Sequence, residues 1–476
     1  MTNNLNSRSF DLVVSGGDVA TIEGVRTADI GVRDGRIVVI AEHIDASSAH
    51  QVVSASGCLV LPGAIDAHTH FGNQVGDHGT ADDYESGTLA AAFGGITTVI
   101  NYCIQQPGEA LTAAIERDRR AAEPGAMVDF GLHVIVTDPS PPSFTDDMRA
   151  AAEAGCPSVK IFTAVDDFML SDAAILRVLR AARSTGVVVN LHAEDGALVH
   201  DLTRELIAQG KTGIAFLPHS RPPLAEAIAV KKVAAYATTL GVPLYIVHVS
   251  SRAALQAIAE ARAAGAEVYA ETRPAYLFLD DGIYSADEER GRFAACWPPL
   301  RDTEDQGALW DGLRSGLIQT YATDHTSWMA VEKLDPELTF AGVPGGFANV
   351  ETSIGMLYNE GVRLGRIPIE RFVAVTASNP AKVFGLWPRK GTIAIGSDAD
   401  LVLLDPEAEV VISADSMHSR SDVEPYAGYR AVGWPVSTIA RGEIVVDRGR
   451  LLGRSGRGHF LVRQSADSPR RTTIGQ

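Results

Sequence analysis

The chain has 476 residues, of which 46% are hydrophobic and 21% are charged, and its formal net charge is -18. This composition is ordinary for a globular protein, and the length predicts two domains rather than one. Because phosphate groups are bound by basic patches, the excess of acidic residues argues against a nucleic-acid partner.

The sequence also argues against a secreted or membrane protein. Its first residues lack the charged start and apolar core of a signal peptide, and no apolar stretch approaches the roughly 20 residues needed to span a bilayer. Four separated cysteines without a CxxC spacing, at positions 58, 103, 156 and 296, are typical of buried free thiols in a reducing compartment. We therefore expect a cytoplasmic protein without a membrane partner.

The first predicted elements are short strands and turns. Residues 10–14 are predicted to form a strand that ends in a turn over 15–18, and 30–40 to form a hairpin around Asp34-Gly35. No convincing helix is predicted in residues 1–58.

Apolar β-type runs alternate with alanine-rich helical stretches over residues 59–388. Such alternation favours a (β/α)8 TIM barrel with parallel strands. A doubly wound sheet is the alternative, but no glycine-rich phosphate loop follows the first strand. The predicted strands include 96–100, 128–136 and 158–162, and the predicted helices include 173–184, 223–240 and 252–264.

The last part of the chain, residues 389–476, resembles the first. It contains a predicted strand over 401–405 and a strand-turn-strand unit over 439–447, followed by a C-terminal tail. We therefore expect residues 1–58 and 389–476 to form one small composite β-sandwich domain beside the barrel.

The segment Asp66-Ala67-His68-Thr69-His70 follows an apolar run and contains two candidate metal ligands. Side chains alternate along an extended segment, so His68 and His70 point to the same side. Neutral imidazoles so placed are suited to bind one divalent metal ion together.

Three further polar residues, His192, His248 and Asp324, stand at the ends of later apolar runs. A single histidine in such a position is commonly structural. Several strands that each end in a metal-type ligand are instead typical of a catalytic site at the C-terminal mouth of a (β/α)8 barrel.

Lys160 lies inside an apolar run, where a bare ammonium group is costly to bury. A buried lysine readily loses its proton, and the neutral amine can react with CO₂ to give a carbamate. Its two oxygens could bridge two metals about 3.5–4 Å apart. Taken alone, such a lysine more commonly extends its ammonium group to solvent.

Over nearly its full length, the chain resembles the dihydropyrimidinase/hydantoinase family of cyclic amidohydrolases. The residues around His68, Lys160, His192, His248 and Asp324 carry much of this likeness. The segments that match are 66–70, 80–84, 90–95, 158–162, 191–196, 246–250, 298–301, 323–325 and 389–400.

The resemblance implies a binuclear metal-dependent hydrolase that opens the ring of a cyclic amide or imide. Asp324 would take a proton from water and pass it to the departing ring nitrogen. The resemblance also implies a homotetramer, with a homodimer as the other arrangement. The implied ligands of two divalent ions, zinc or alternatively manganese, are His68, His70 and Asp324 for one, His192 and His248 for the other, and carboxylated Lys160 (N6-carboxylysine) as the bridge.

Three positions that contact substrate in this family depart from its pattern. Val165 stands in place of a tyrosine and Trp297 in place of a serine, and the pattern Asn-Gly-Gly appears as Pro344-Gly345-Gly346, so that Pro344 replaces the asparagine. We expect these residues to line a more apolar pocket for a bulkier or aromatic amide, imide or urea. Poor activity on plain hydantoin or dihydrouracil should follow, unless another donor such as Thr163 or His78 replaces the tyrosine hydroxyl.

Two other functions compete with ring opening. Hydrolysis of a linear amide or urea could use the same metal centre. A non-catalytic scaffold homologue is a more remote alternative, because such relatives have lost metal ligands and all six are present here. An acidic ring substrate is disfavoured, since Gly72 stands where dihydroorotases carry an arginine.

Overall fold

Eight parallel strands form a nearly closed barrel in the computed structural model, which describes residues 9–75 and 78–465. Each strand pairs with the next along the chain, and a parallel bridge between Thr69 and His325 links the two ends of the sheet. The predicted (β/α)8 barrel is thereby confirmed. The barrel strands are Ala64–Thr69, Ile96–Ile104, Asp129–Ile135, Ser158–Phe162, Val188–His192, Leu244–Ile246, Val268–Thr272 and Thr320–Tyr321.

Helices surround the barrel and include the three that the sequence predicts, with small differences at their ends. The helix Asp172–Thr185 begins where the Ser171 hydroxyl accepts a hydrogen bond from the backbone of Ala174, and it ends at Gly186 in the left-handed conformation. The α-helices are Tyr84–Phe93, Leu111–Ala122, Phe144–Glu153, Asp172–Thr185, Gly196–Ala208, Leu217–Ser220, Pro223–Leu240, Arg252–Ala263, Pro274–Phe278, Gly282–Ala286, Glu288–Phe293, Thr303–Ser315, Ala330–Lys333, Ser353–Leu357, Ile369–Val373 and Asn379–Val383.

Strands from both ends of the chain form one connected nine-stranded sheet beside the barrel. The short strand Leu59–Pro62 joins the two contributions, because it pairs with Phe10–Thr21 on one side and with Leu401–Val411 on the other. This arrangement confirms the composite sheet domain. Its remaining strands are Gly24–Arg33, Arg36–Ala41, Ala49–Ser54, Arg430–Ala440, Glu443–Asp447 and Arg450–Leu451.

One predicted turn is wrong. Residues 15–18 continue the strand Phe10–Thr21, with a β-bulge between Val14 and Gly17 instead of a chain reversal. Gly16 adopts a φ of 72° at the bulge, and its amide donates to the Asp29 carboxylate. The glycines therefore serve a bulge, which has the same residue preference as a turn.

Lys390 ties the sheet domain to the barrel. Its fully buried ammonium group lies 2.9 Å from the carboxylate of Asp129, which begins a barrel strand, and 2.5 Å from that of Asp400. The buried charges compensate one another and fix the position of the two domains. Residues 1–8 and 466–476 of the predicted terminal segments lie outside the described residues.

Two further properties follow from the described residues. Their four cysteines are buried and free, as the sequence predicts. Within 9–75 and 78–465, no helix combines the length and the apolar character needed to cross a membrane.

Candidate metal centre

Three predicted ligands from opposite ends of the barrel sequence lie together at the carboxyl ends of the strands. The Oδ1 atom of Asp324 is 3.0 Å from Nε2 of His68 and 3.3 Å from Nε2 of His70. Two ligands at a tetrahedral angle, each 2.0–2.1 Å from a metal, are roughly 3.4 Å apart. The three side chains therefore have the spacing of a metal site.

His192 and His248 form a second pair in the same cleft. Nδ1 of His192 is 3.0 Å from Nε2 of His248, and Nε2 of His192 is 2.7 Å from the Glu194 carboxylate. A neutral His192 that donates to Glu194 has a free electron pair on Nδ1, directed at His248. His192 and His248 are therefore also suited to bind one metal ion together.

Lys160 lies beside His68, on the fourth barrel strand. It is 2% exposed, its Nζ atom is 2.8 Å from Nε2 of His68, and it lies 4.3 Å from the centre of the Tyr102 ring and 5.0 Å from that of Phe162. Burial lowers the pKa of Lys160 to about 8. A substantial fraction of the amine is consequently neutral near physiological pH, which is the form that reacts with CO₂.

Burial also keeps three of the histidines neutral, which is the state that binds metal. It lowers the pKa of His70 to about 4 and the pKa values of His192 and His248 below their usual range. Among the residues that the structure describes, Nδ1 of His248 has no hydrogen-bond partner although it is buried. Buried nitrogen and carboxylate donors of this kind fit divalent zinc or manganese.

Glu271, on the seventh barrel strand, orients ligands from both groups and was not found from the sequence. Its carboxylate accepts from Nδ1 of His68 at 2.7 Å, from the backbone amide of His248 at 2.9 Å and from the Tyr245 hydroxyl at 2.8 Å. Accepting from Nδ1 fixes the tautomer that leaves Nε2 of His68 available to a metal.

Two buried arginines near the ligands were also missed. Arg221 donates to Glu194, and the fully buried Arg273 donates to Oδ2 of Asp324. Neither arginine lies in a recognisable metal-binding motif. The mostly apolar run over 274–279 that follows Arg273 gives only an indirect signal, because burying an arginine needs a partner.

A cavity of about 290 Å³ opens above these ligands. All four residues predicted to contact substrate line it, together with several aromatic side chains. The lining is thus mainly apolar, with the candidate metal ligands at its base. The lining includes Val165, Trp297, Pro344 and Gly345, as well as Phe162, Phe168 and Trp328.

The two candidate replacements for a tyrosine hydroxyl differ in their availability. The Thr163 hydroxyl donates to the backbone carbonyl of His192 at 2.9 Å and is committed to that bond. His78 lines the cavity, with Nδ1 3.3 Å from the Glu332 carboxylate. Of the two, His78 is the one whose ring faces the cavity.

Comparison with known proteins finds relatives that match nearly the full length of the chain. The model of the amidohydrolase family matches residues 59–445. The D-hydantoinase of Geobacillus stearothermophilus is 38% identical over 458 residues, which cover 95% of this chain and 96% of the relative. The D-hydantoinase structure from Bacillus sp. AR9 has a TM-score of 0.93 at 35% identity, covering 96% of this chain and 100% of that one. The dihydropyrimidinase structure from Brevibacillus agri also has a TM-score of 0.93, at 34% identity, covering 96% and 99%.

Proposed function

Because this chain belongs to the hydantoinase family of the amidohydrolases, we propose that it is a hydrolase that opens the ring of a cyclic amide or imide. The observation that carries this proposal is the cluster of His68, His70 and Asp324 beside an apolar cavity, which His70 and Asp324 line. A divalent metal centre at that position is adjacent to any ring bound in the cavity.

We propose a binuclear centre with zinc as the resident metal and manganese as the alternative. When bound, the two ions would polarise the ring carbonyl and acidify a water molecule. The protein's part is to hold them through two sets of ligands and one bridge. The first set is His68, His70 and Asp324, the second is His192 and His248, and the bridge is Lys160 as the N6-carboxylysine.

Asp324 is proposed as the acid-base residue. Its Oδ1 faces the histidines, whereas Oδ2 is held by Arg273. The water oxygen forms a bond to the ring carbonyl carbon as its proton passes to Asp324, and the same carboxyl then protonates the ring nitrogen as the C–N bond breaks. The product carries one new carboxylate and one freed amide or amine nitrogen.

The cavity supports a substrate with an apolar substituent. Val165 and Pro344 offer no hydrogen-bonding side-chain group to a small polar ring, and Trp297 has only its indole N–H. Phe168 and Trp328 extend the apolar wall. Hydantoins with an aromatic substituent are therefore proposed as better substrates than plain hydantoin or dihydrouracil.

A turnover screen on zinc-loaded and manganese-loaded protein tests this proposal. The compounds would be plain hydantoin, dihydrouracil, benzyl- and phenyl-substituted hydantoins, cyclic imides, lactams and linear ureas. Ring opening of the aryl hydantoins, with weak activity on the two plain rings, is expected. If only linear ureas are hydrolysed, the proposed ring opening is wrong. Robust turnover of plain hydantoin or dihydrouracil would contradict the proposed preference for substrates with an apolar substituent.

We also propose that the protein is a homotetramer or a homodimer and that it is located in the cytoplasm. A homotetramer or homodimer would appear as the corresponding mass in light scattering of the purified protein. The four buried free thiols support a reducing compartment such as the cytosol.

A further inference from the structure

A second cavity of about 300 Å³ adjoins the catalytic cavity. Val165, Trp297 and Ala341 line both spaces and therefore separate them. Trp297 has by far the largest side chain of the three. The indole is consequently the main barrier between the catalytic cavity and its neighbour.

Contacts with Arg221 and Gly345 hold the indole in this position. The guanidinium carbon of Arg221 lies 5.0 Å from the centre of the Trp297 ring, a distance typical of a cation–π contact. Arg221 is itself fixed by the buried carboxylate of Glu194. A Cβ atom added to Gly345 would lie 2.9 Å from Cδ2 of the indole, so the glycine backbone packs directly against the ring.

The loop that contains Gly345 is anchored from behind. The indole N–H of Trp328 donates to the carbonyl of Gly345 at 2.9 Å, and the buried Nζ of Lys333 donates to that of Pro344 at 2.8 Å. The amide of Gly346 donates to the carbonyl of Ala295, also at 2.8 Å. These three hydrogen bonds hold the backbone against which the Trp297 indole packs.

Resting on the proposed function, we propose that Trp297 is a specificity-determining partition that limits how long a ring substituent the enzyme accepts. A benzyl group ends at the indole. A substituent with a second aromatic ring, such as biphenylmethyl, would need the adjoining cavity, which the indole closes. Removing the indole joins two spaces of similar size and roughly doubles the room for the substituent.

Three variants test this partition. Trp297→Ala removes the barrier, Trp297→Phe keeps an aromatic ring there, and Phe168→Ala is the matched control because Phe168 lines the catalytic cavity but not the adjoining one. The measured quantity is the kcat/KM for biphenylmethyl hydantoin divided by that for benzyl hydantoin. Circular dichroism and metal content establish that each variant is folded and loaded.

The ratio should rise by about tenfold or more in Trp297→Ala, change less in Trp297→Phe and not rise to that extent in Phe168→Ala. A wild-type enzyme that hydrolyses both compounds equally well, or a Trp297→Ala ratio that does not rise, overturns the partition. If Trp297→Ala does not fold, the smaller increase in Trp297→Phe decides the matter, and its absence counts against the proposal.

Binding separates failure of the partition from failure of the proposed reaction. If wild type hydrolyses no ring compound, the reaction is wrong, and calorimetric titration with biphenylmethyl hydantoin still tests the partition. Tighter binding to Trp297→Ala than to wild type, by about tenfold, supports the barrier. Equal binding to both overturns it.

Discussion

Nδ1 of His192 and Nε2 of His248 face each other at 3.0 Å in a buried cleft. Since Nε2 of His192 contacts Glu194, a neutral His192 directs an electron pair at His248. Nδ1 of His248 has no hydrogen-bond partner among residues 9–75 and 78–465. A cation that accepts electron pairs from Nδ1 of His192 and Nε2 of His248 would account for the way these two nitrogens face each other.

His248→Ala should therefore lose one of two bound metal ions and nearly all hydrolytic activity. The remaining ligands His68, His70 and Asp324 are unaffected, so about one ion per chain should stay bound. Inductively coupled plasma mass spectrometry of the purified variant measures this. His43→Ala, a change of a largely exposed histidine in the sheet domain, is the control and should keep both ions. Two ions in His248→Ala would contradict the second site.

Arg273→Met should destabilise the metal-free protein more than the metal-loaded protein. The fully buried guanidinium compensates the Asp324 carboxylate, and removing one partner of a buried pair costs about 3 kcal/mol. A bound cation would supply much of the missing positive charge. Urea unfolding with and without zinc measures how much unfolding free energy the variant loses, relative to wild type, in the metal-loaded and the metal-free state. Arg204→Met, a change of an exposed arginine, is the control. Equal losses in the two states would contradict this account.

Asp82→Asn should weaken the contact between the barrel mouth and the sheet domain in a pH-dependent way. Burial alone would raise the pKa of Asp82, but hydrogen bonds from His325, the Arg420 amide and the Ser419 hydroxyl hold it well below the usual 3.8. A lowered carboxyl pKa stabilises the fold above the unfolded value of 3.8, and this contribution is lost as the pH falls below it.

The variant should thus be less stable than wild type by about 2–4 kcal/mol at neutral pH. The difference should shrink as the pH falls below about 4, because the unfolded state of wild type then binds a proton that the folded state does not, and the stabilisation by the Asp82 carboxylate decreases. Denaturant unfolding between pH 3 and 7 measures it. A difference that stays constant over this range would show that the Asp82 charge is not the source.

The candidate metal ligands could be proposed from the sequence because each lies in a short, strongly patterned segment. His68 and His70 share one extended segment, and His192, His248 and Asp324 each follow an apolar run. The barrel then brings the ends of all its strands to one edge. Barrel strands and the larger helices were predicted for the same reason, since their apolar periodicity is local.

Residues whose function depends on partners distant in sequence could not be predicted. Glu271 contacts His68, which is 203 positions away, and Arg273 contacts Asp324, which is 51 positions away. The bulge at Gly16 was mistaken for a turn, because both use a glycine with positive φ. The role of Gly345 depends on the indole that packs against it, which no local pattern reveals.

The metal content and activity of Lys160→Ala test the central claim most directly. Lys160 is the only one of the six proposed ligands that must be modified before it can bind metal, and it lies beside His68 in the buried cleft. Wild type should contain two divalent ions per chain and open the ring of an aryl hydantoin. Lys160→Ala should contain at most one ion and lose that activity, whereas a Lys160→Ala protein with two ions and full activity would contradict the bridging role and the mechanism built on it.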